Sequence, residues 1–342
     1  MDKSGVSVIV CCYNSADRLP KTLMYLALQV VPEAINWEII IVNNASTDDT
    51  SLTATKEWAK YKTLGVNFKV IDQPIAGLSN AKEKGLMSAE YEYILFCDDD
   101  NWLFHDYIST AFAIINSDPN IGILGGCGLF EPEEPIWPDI QKFEISYVNG
   151  SQTWTATDHW VYGAGSVYRK SVLISFYNIG WKQITSGRTG SKLISGEDVE
   201  TCFMYFLSGF KVISDDRLLF KHFVPLRRQN IGYILNLHFW QSYSNVLLSG
   251  YVMLINKDPQ NIQKKIDIWF IHLMKALMVH IGEIIYQKLI KQQPINNDQI
   301  ITLQSYYGAI FSILKNRKKI INHDKCLKSI LNRYTPNLVN VL

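Results

Sequence analysis

Three consecutive carboxylates, Asp98, Asp99 and Asp100, follow an apolar run at residues 93–97 and precede Asn101. Neighbouring like charges raise one another's energy, so a triple acid behind a buried strand asks for a cation. A divalent metal that shares its coordination with phosphate oxygens meets that demand, because hard cations take oxygen ligands. A solvated acidic turn ahead of the helix that starts near Phe104 meets it too, and the triplet alone leaves both open. Two more polar clusters stand behind apolar runs: Tyr13-Asn14 after residues 6–12, and Asn43-Asn44 after residues 37–42.

The elements that must position these clusters alternate. Apolar runs at 6–12, 37–42, 66–71, 93–97 and 121–124 read as strands, and the stretches at about 17–29, 48–61, 77–88 and 104–116 read as helices. Strands that are apolar throughout, separated by helices, predict a mainly parallel sheet covered on both faces. The expected fold class is α/β, Rossmann-like in its sheet, with a helical region at the C-terminus. Ligands of such sheets gather beyond the carboxyl ends of the strands, so all three polar clusters belong on one edge. After Gly128 the alternation stops. A helix is expected at 197–208 with Gly209 as its stop, then strands at 211–213 and 218–223. Helices follow at about 231–248, 262–290, 298–314 and 326–331. This places a catalytic domain at 1–228 and a mainly helical, basic subdomain at 229–342.

Composition narrows the class. The 342 residues are 47% hydrophobic and 19% charged, which suits one large soluble domain plus an appendage. Six cysteines without a C-x-x-C pair read as small core residues, not as a disulfide frame or a zinc site. No signal peptide is expected at the N-terminus, and no apolar run is expected to reach the length of a membrane span. The net charge of +1 hides an asymmetry: residues 224–342 hold 15 Lys+Arg against 5 Asp+Glu, and the rest of the chain 18 against 27. Two regions of opposite charge imply different partners.

Several motifs are missing. No G-x-G-x-x-G follows the first strand, and Gly187-Arg188-Thr189-Gly190-Ser191-Lys192 does not satisfy the P-loop pattern. There is no G-x-S-x-G and no H-E-x-x-H. The basic C-terminal part lacks a zinc-finger or RNP pattern, so no nucleic-acid partner is expected.

The ordered motifs resemble family 2 glycosyltransferases of the GT-A fold. The resemblance rests on residues 6–14, on 39–48, on Gly77-Leu78-Ser79-Asn80-Ala81 and on Phe96-Cys97-Asp98-Asp99-Asp100-Asn101. Gly163-Ala164-Gly165 and Gly196-Glu197-Asp198 follow in family order, over about residues 5–230. It implies inverting transfer from a nucleotide-diphosphate sugar, a UDP-sugar by default, with Mn2+ or Mg2+ as cofactor. The implied acceptor is a glycan or a lipid-linked sugar, in surface polysaccharide or lipopolysaccharide assembly.

The resemblance also implies roles. Asp98 and Asp100 match the D-x-D positions that hold ribose and metal–diphosphate, with Asp99 between them. His222 resembles the histidine that completes the metal site in some GT-A enzymes. Asp198 matches the catalytic base, with Glu197 and Glu200 as neighbours that raise its pKa; capping of the helix is the other use of an acid there. Cys12, Tyr13 and Asn14 match the loop that lines the nucleobase. Asn43 stands where the family usually has Asp, with Asn44 beside it. Lys82 and Arg228 fall near the phosphates, and Gly163 allows close backbone approach of a sugar. Trp154, Trp160 and Tyr162 are candidates for stacking on an acceptor. The rivals are a GT-A scaffold without turnover and a nucleotidyltransferase, which would favour a Gly-rich basic loop where Cys12-Tyr13-Asn14 stands.

The helices beyond residue 229 lie outside the resemblance. Lys315, Arg317, Lys318 and Lys319 fit an anionic membrane surface, and a homodimer face fits the same apolar helices. The implied location is cytoplasmic or peripheral at the inner face of the membrane.

Overall fold

The computed structural model describes residues 3–136, 141–153, 158–188 and 192–338. Four parallel strands form one half of its sheet: β1 (Lys3–Cys12), β2 (Trp37–Asn44), β3 (Asn67–Gln73) and β4 (Tyr91–Asp98). β1 lies between β2 and β4, which is why residues 5–10 are buried and, apart from Gly5 and Ser7, apolar. Val6, Val8 and Val10 face α1 (Leu19–Ala27) and α4 (Tyr107–Ser117) through Leu19, Leu23, Leu26 and Ile108. Ile9 faces the other way, onto α3 (Leu78–Ser88). There a Cβ on Gly85 would sit 2.5 Å from the Ile9 Cγ2, so only glycine lets this helix lie so close. A fourth helix, α2 (Thr50–Trp58), follows β2.

The other half of the sheet is mixed. β5 (Asn101–Leu103), β6 (Ile121–Pro132), β7 (Val167–Arg169) and β8 (Lys211–Val224) complete the order β3-β2-β1-β4-β7-β6-β8-β5 among the described residues. β7 is antiparallel to β4 and β6, and β5 is antiparallel to β8. β6 extends well past the expected 121–124, and the two strands expected at 211–213 and 218–223 are one strand. Their separation in sequence falls on Asp215, Asp216 and Arg217, which lie between the paired residues Ser214 and Leu219, where the ladder with β6 is interrupted. The register shifts where Gly125 and Cys127 face β8. A Cβ on Gly126 would meet the Tyr107 hydroxyl at 2.2 Å, so the bulge there needs glycine. Two more helices belong to this region, α5 (Lys170–Asn178) and α6 (Glu197–Leu207).

The chain divides into two compact units: residues 1–180 with 201–226, and residues 181–200 with 227–342. The expected break at 228/229 therefore falls two residues earlier, and residues 181–200 group with the C-terminal helices instead of the α/β domain. The second unit holds α7 (Ile231–Leu247), α8 (Ser249–Ile255), α9 (Ile262–Leu289) and α10 (Asn297–Leu338). α10 replaces two expected helices with one, because residues 315–325 contain neither Gly nor Pro to stop it. A Cβ on its Gly308 would come 2.0 Å from the Phe239 carbonyl oxygen, so α7 and α10 pack at backbone distance. Arg317 pairs bidentately with Asp267 of α9, and the Asn316 amide donates to the Tyr243 hydroxyl. α9 is long and apolar enough to cross a membrane, judged by length and composition, where none was expected.

Candidate functional site

The expected convergence at one sheet edge is present. Parallel register sets Cys12 beside Asn43 and Cys11 beside Asp98, so the loops after β1, β2 and β4 open side by side. The acidic turn is pinned through its backbone. The Thr22 hydroxyl donates to the Asp99 carbonyl at 2.8 Å, and the Phe223 amide donates to the Asp100 carbonyl at 2.8 Å.

The three carboxylates part company. Asp99 is buried and forms an ion pair with Arg18 at 2.6 Å, and the Ser15 hydroxyl donates to it as well. Burial, and then the Asp100 charge, push its carboxyl above the usual range, against the pull of Arg18. Its expected contact with the donor is thereby corrected: both carboxylate oxygens are turned to α1, and Asp99 holds the loop. Arg18 also donates to the Asn14 carbonyl at 3.3 Å, joining the first and third clusters. Arg18 and Thr22 escaped the sequence reading. A cation within one turn of the Tyr13-Asn14 loop was the available signal.

Asp100 is buried too, and the His222 Nε2 lies 3.9 Å from its Oδ1. The His222 Nδ1 is 2.8 Å from the Tyr147 carbonyl oxygen. A carbonyl only accepts, so Nδ1 carries a proton, and Nε2 is the nitrogen on the side of Asp100. A carbonyl behind one imidazole nitrogen is the usual support of a metal-ligating histidine. Asn101 faces His222 directly across the β5–β8 ladder, so the two side chains share a face. Asn101 is fully buried, and both polar atoms of its amide lack a partner in the described structure. An orphaned buried amide beside an aspartate and an imidazole fits a hydrated cation better than a solvated turn. Among the described residues, however, no group of three His, Cys, Asp or Glu is arranged to hold a metal. Asp98, Asp100 and His222 thus do not form one three-ligand cage, and Asp100 with His222 is the pair brought together.

The loops expected around the nucleobase split into braces and contacts. Asn14, at φ 48°, accepts the Thr47 amide at 2.8 Å through its side chain. Asn44 donates to the carbonyls of Gln73 and Ile75 and accepts the Gly77 amide at 2.8 Å, so it is fully used inside the turn. The Cys12 thiol is buried in the core, a correction to its expected donor contact, since only its backbone reaches the edge. Tyr13 is exposed. The Asn43 amide donates to Asp72 at 2.9 Å, leaving its Oδ1 without a partner in the described structure. Asp72 was also missed by sequence reading; it ends β3 opposite Asn43. Lys82 lies over the Phe96 ring at 5.3 Å. Gly163 is buried beside Ser166, whose carbonyl accepts the Phe96 amide at 3.0 Å, so this segment flanks the acidic strand. The Tyr162 hydroxyl accepts the Gly128 amide at 2.6 Å, which ties it to β6 instead of offering it to an acceptor. Trp154 lies outside the described residues.

In the second unit, the first turn of α6 carries Glu197, Asp198 and Glu200. Asp198 is half-buried and its Oδ1 accepts the Val199 amide at 2.9 Å. Glu197 is buried. Glu200 is fully buried, and that burial pushes its carboxyl up to about 7. Arg228 lies in a 3-10 turn, Leu226–Arg228, and is half-buried. Of the four basic residues expected at a membrane, Arg317 is held by Asp267 and Lys319 donates to the Ile184 carbonyl at 2.7 Å.

Residues 7–176 match the family model described as Glycosyl transferase family 2. The chain belongs to this family. This glycosyltransferase is 24% identical over 269 residues to a poly-beta-1,6-N-acetyl-D-glucosamine synthase of Staphylococcus epidermidis, a match covering 74% of this chain and 61% of the relative. A Bacillus subtilis protein, EpsH, provisionally named a glycosyltransferase, is 33% identical over 131 residues, 38% of this chain and 36% of its own. Among solved structures, a mannosyltransferase of Pyrobaculum calidifontis in complex with GDP-Man and Mn2+ matches 94% of this chain and 73% of its own. The TM-score is 0.50 and the identity 16%, which identifies the fold as GT-A. The glycosyltransferase spans about 61% of the length of the synthase it matches. The nucleotidyltransferase rival falls with the family match.

Proposed function

We propose that this glycosyltransferase is metal-dependent and inverting. On this reading it moves a sugar from a nucleotide-diphosphate sugar, a UDP-sugar by default, to a glycan or lipid-linked acceptor in surface polysaccharide or lipopolysaccharide assembly. The observation that carries the metal dependence is the placement of His222, with Nδ1 on the Tyr147 carbonyl and Nε2 3.9 Å from the Asp100 Oδ1, beside the partnerless amide of Asn101. Asp100 and His222 are the residues to hold Mn2+ or Mg2+, with Asp98 toward the ribose. The ion supplies a Lewis acid that offsets the charge of the departing diphosphate.

The remaining steps belong to the chain's own side chains. Asp198, ionised, takes the proton of the acceptor hydroxyl while that oxygen attacks the anomeric carbon opposite the leaving group. Glu197 supports it at the start of the helix. Tyr13 covers the nucleobase, and the Asn43 Oδ1 accepts from an imide N–H such as that of uracil. Asn14 and Asn44 hold those loops in place. Lys82 and Arg228 bring positive charge to the diphosphate, and Gly163 lets the donor sugar approach backbone. The name of the Staphylococcus epidermidis relative supports UDP-N-acetylglucosamine as the first donor to try. Exposed Ile271, Met278 and Leu289 on α9, with exposed Lys315 and Lys318 on α10, support a peripheral site at an anionic inner membrane face. A homodimer is the competing occupant of the same apolar face.

A panel of UDP-, GDP- and dTDP-sugars, with and without Mn2+, tests the reading by thermal shift and nucleotide release. One nucleotide is expected to stabilise the protein only with metal. Asp100→Ala should remove that effect, and His222→Ala should weaken metal affinity roughly 10–100-fold. Asp198→Asn should keep binding and lose release. No metal-dependent stabilisation by any nucleotide defeats the proposal, and stabilisation without release favours the scaffold.

A further inference from the structure

The second unit buries one carboxylate that the proposed chemistry does not use. Glu200 is fully buried, and no lysine or arginine lies against it in an ion pair among the described residues. Its two oxygens are saturated by neutral donors. Oε1 accepts the Ile184 amide at 2.8 Å and the Tyr251 hydroxyl at 2.9 Å. Oε2 accepts the Thr185 amide at 2.9 Å and the Thr185 hydroxyl at 2.5 Å. Tyr251 is fixed in turn, because the Trp181 indole donates to its oxygen at 2.8 Å, leaving the hydroxyl proton for Glu200. His323 of α10 approaches Oε1 to 3.6 Å with its Nε2, which also lies 3.2 Å from the Lys182 carbonyl.

These contacts gather on a short length of chain. Glu200 stands two residues after Asp198, in the same first turn of α6. The Glu197 carbonyl accepts the Gln183 amide at 2.7 Å, and the Ser195 amide donates to the Ser244 hydroxyl at 3.3 Å. Gly196, at φ 98°, turns the chain into the helix. Every partner of residues 195–200 named here comes from residues 181–185 or from α7, α8 and α10. Residues two apart on a helix point to nearly opposite sides, so Asp198 does not share the helix face by which Glu200 grips the unit's interior.

We propose that Glu200 is a positioning residue for Asp198: by clamping residues 184–185 and Tyr251 it lets the C-terminal helices fix where the base sits. The inference rests on the reading of Asp198 as the base. A carboxylate is suited to the clamp because it only accepts, and four donors converge on it. Glutamine at the same place turns an NH2 toward N–H or O–H donors, which cannot pair with it. A misplacement of about 1 Å in a reacting group lowers turnover on the order of 100-fold. The clamp thus makes the helical unit part of the active enzyme and not only an attachment.

The test compares Glu200→Gln, Tyr251→Phe and Asp198→Asn in the full chain. Nucleotide release is followed with the best donor of the panel above, and backbone hydrogen exchange is followed over residues 195–200. Glu200→Gln is expected to lower kcat on the order of 100-fold with donor KM unchanged. Tyr251→Phe, which keeps the carboxylate and all backbone partners, should lower kcat less, and the 195–200 amides should exchange faster in both. Thr185→Ser should retain activity where Thr185→Val loses it. Unchanged kcat and unchanged exchange in Glu200→Gln and Tyr251→Phe overturn the clamp, as does a fall in kcat matched by an equal rise in KM. Full activity in Asp198→Asn defeats instead the base on which the clamp rests. If Glu200→Gln does not fold, Tyr251→Phe decides.

Discussion

The Arg18–Asp99 pair offers a quantitative check on how the acidic turn is divided. Both side chains are about nine-tenths buried, and among the described residues Asp99 pairs with no other cation. Replacing Arg18 by Met keeps the volume and removes the charge, so Asp99 is left in low dielectric with only the Ser15 hydroxyl. Breaking a buried pair this way costs about 3–5 kcal/mol, a large part of a typical domain stability of about 5–15 kcal/mol. Removing the second charge as well, in Arg18→Met/Asp99→Asn, should restore at least half of the loss, because the amide carries no charge to desolvate. The loss in Arg18→Met should also shrink toward acid pH. Burial raises the carboxyl's folded pKa above its unfolded value, so the penalty is present above the folded pKa and disappears as the group takes a proton below it. Urea denaturation at pH 5 and pH 8 reads all three changes as shifts in midpoint at constant slope. The double variant should keep nucleotide affinity within about threefold, since Asp99 holds the loop and not the donor. The reasoning is refuted if Arg18→Met stays within about 0.5 kcal/mol of the parent, or if the double variant is as unstable as the single one.

Two further outcomes follow from burial and glycine. Glu200 titrates at about 7 in the folded state against an ordinary value of 4.5, so between those pH values the folded protein holds a proton that the unfolded chain has released. This group therefore lowers stability as pH rises through that window, by about 3 kcal/mol in all; denaturation of Glu200→Gln beside the parent should show the parent's relative advantage shrinking between pH 4.5 and 7, and a constant difference would contradict it. Gly126→Ala drives a methyl group into the Tyr107 hydroxyl, which is held by the Gly165 carbonyl at 2.6 Å, and should lower the melting temperature by an amount worth about 1–3 kcal/mol; Tyr107→Phe in the same background should recover part of it.

The half of the fold that carries the acidic turn was legible because its strands are buried on both faces. β1, β2 and β4 carry apolar runs at 8–12, 39–42 and 93–97, so their central parts and their polar ends stand out in the sequence. β6 and β8 face water over part of their length, and Asp215–Arg217 read as a break because the ladder is interrupted there, although β8 resumes its pairing at Leu219. The roles inside the triplet were not legible. Sequence shows three equivalent acids, whereas the packing of α1 brings Arg18 to one of them and β8 brings His222 to another. The tie of residues 181–200 to the C-terminal helices depends on Tyr251, Ser244 and Lys319, which are 44 or more residues away, and no local pattern announces such pairings. Cys12 shows the opposite error: its motif position suggested a contact, but strand alternation sends its side chain inward.

The place of β1 in the middle of the sheet has a consequence during synthesis. Its partner on one side, β4, begins 88 residues later, where Lys3 pairs with Tyr91. At translation rates of about 5–20 residues per second, β1 waits roughly 4–18 s for that neighbour to be made. Throughout that interval the edge of β1 that carries Val6, Val8, Ile9 and Val10 lacks its β4 partner, and an unpaired apolar edge is a template for pairing with other chains.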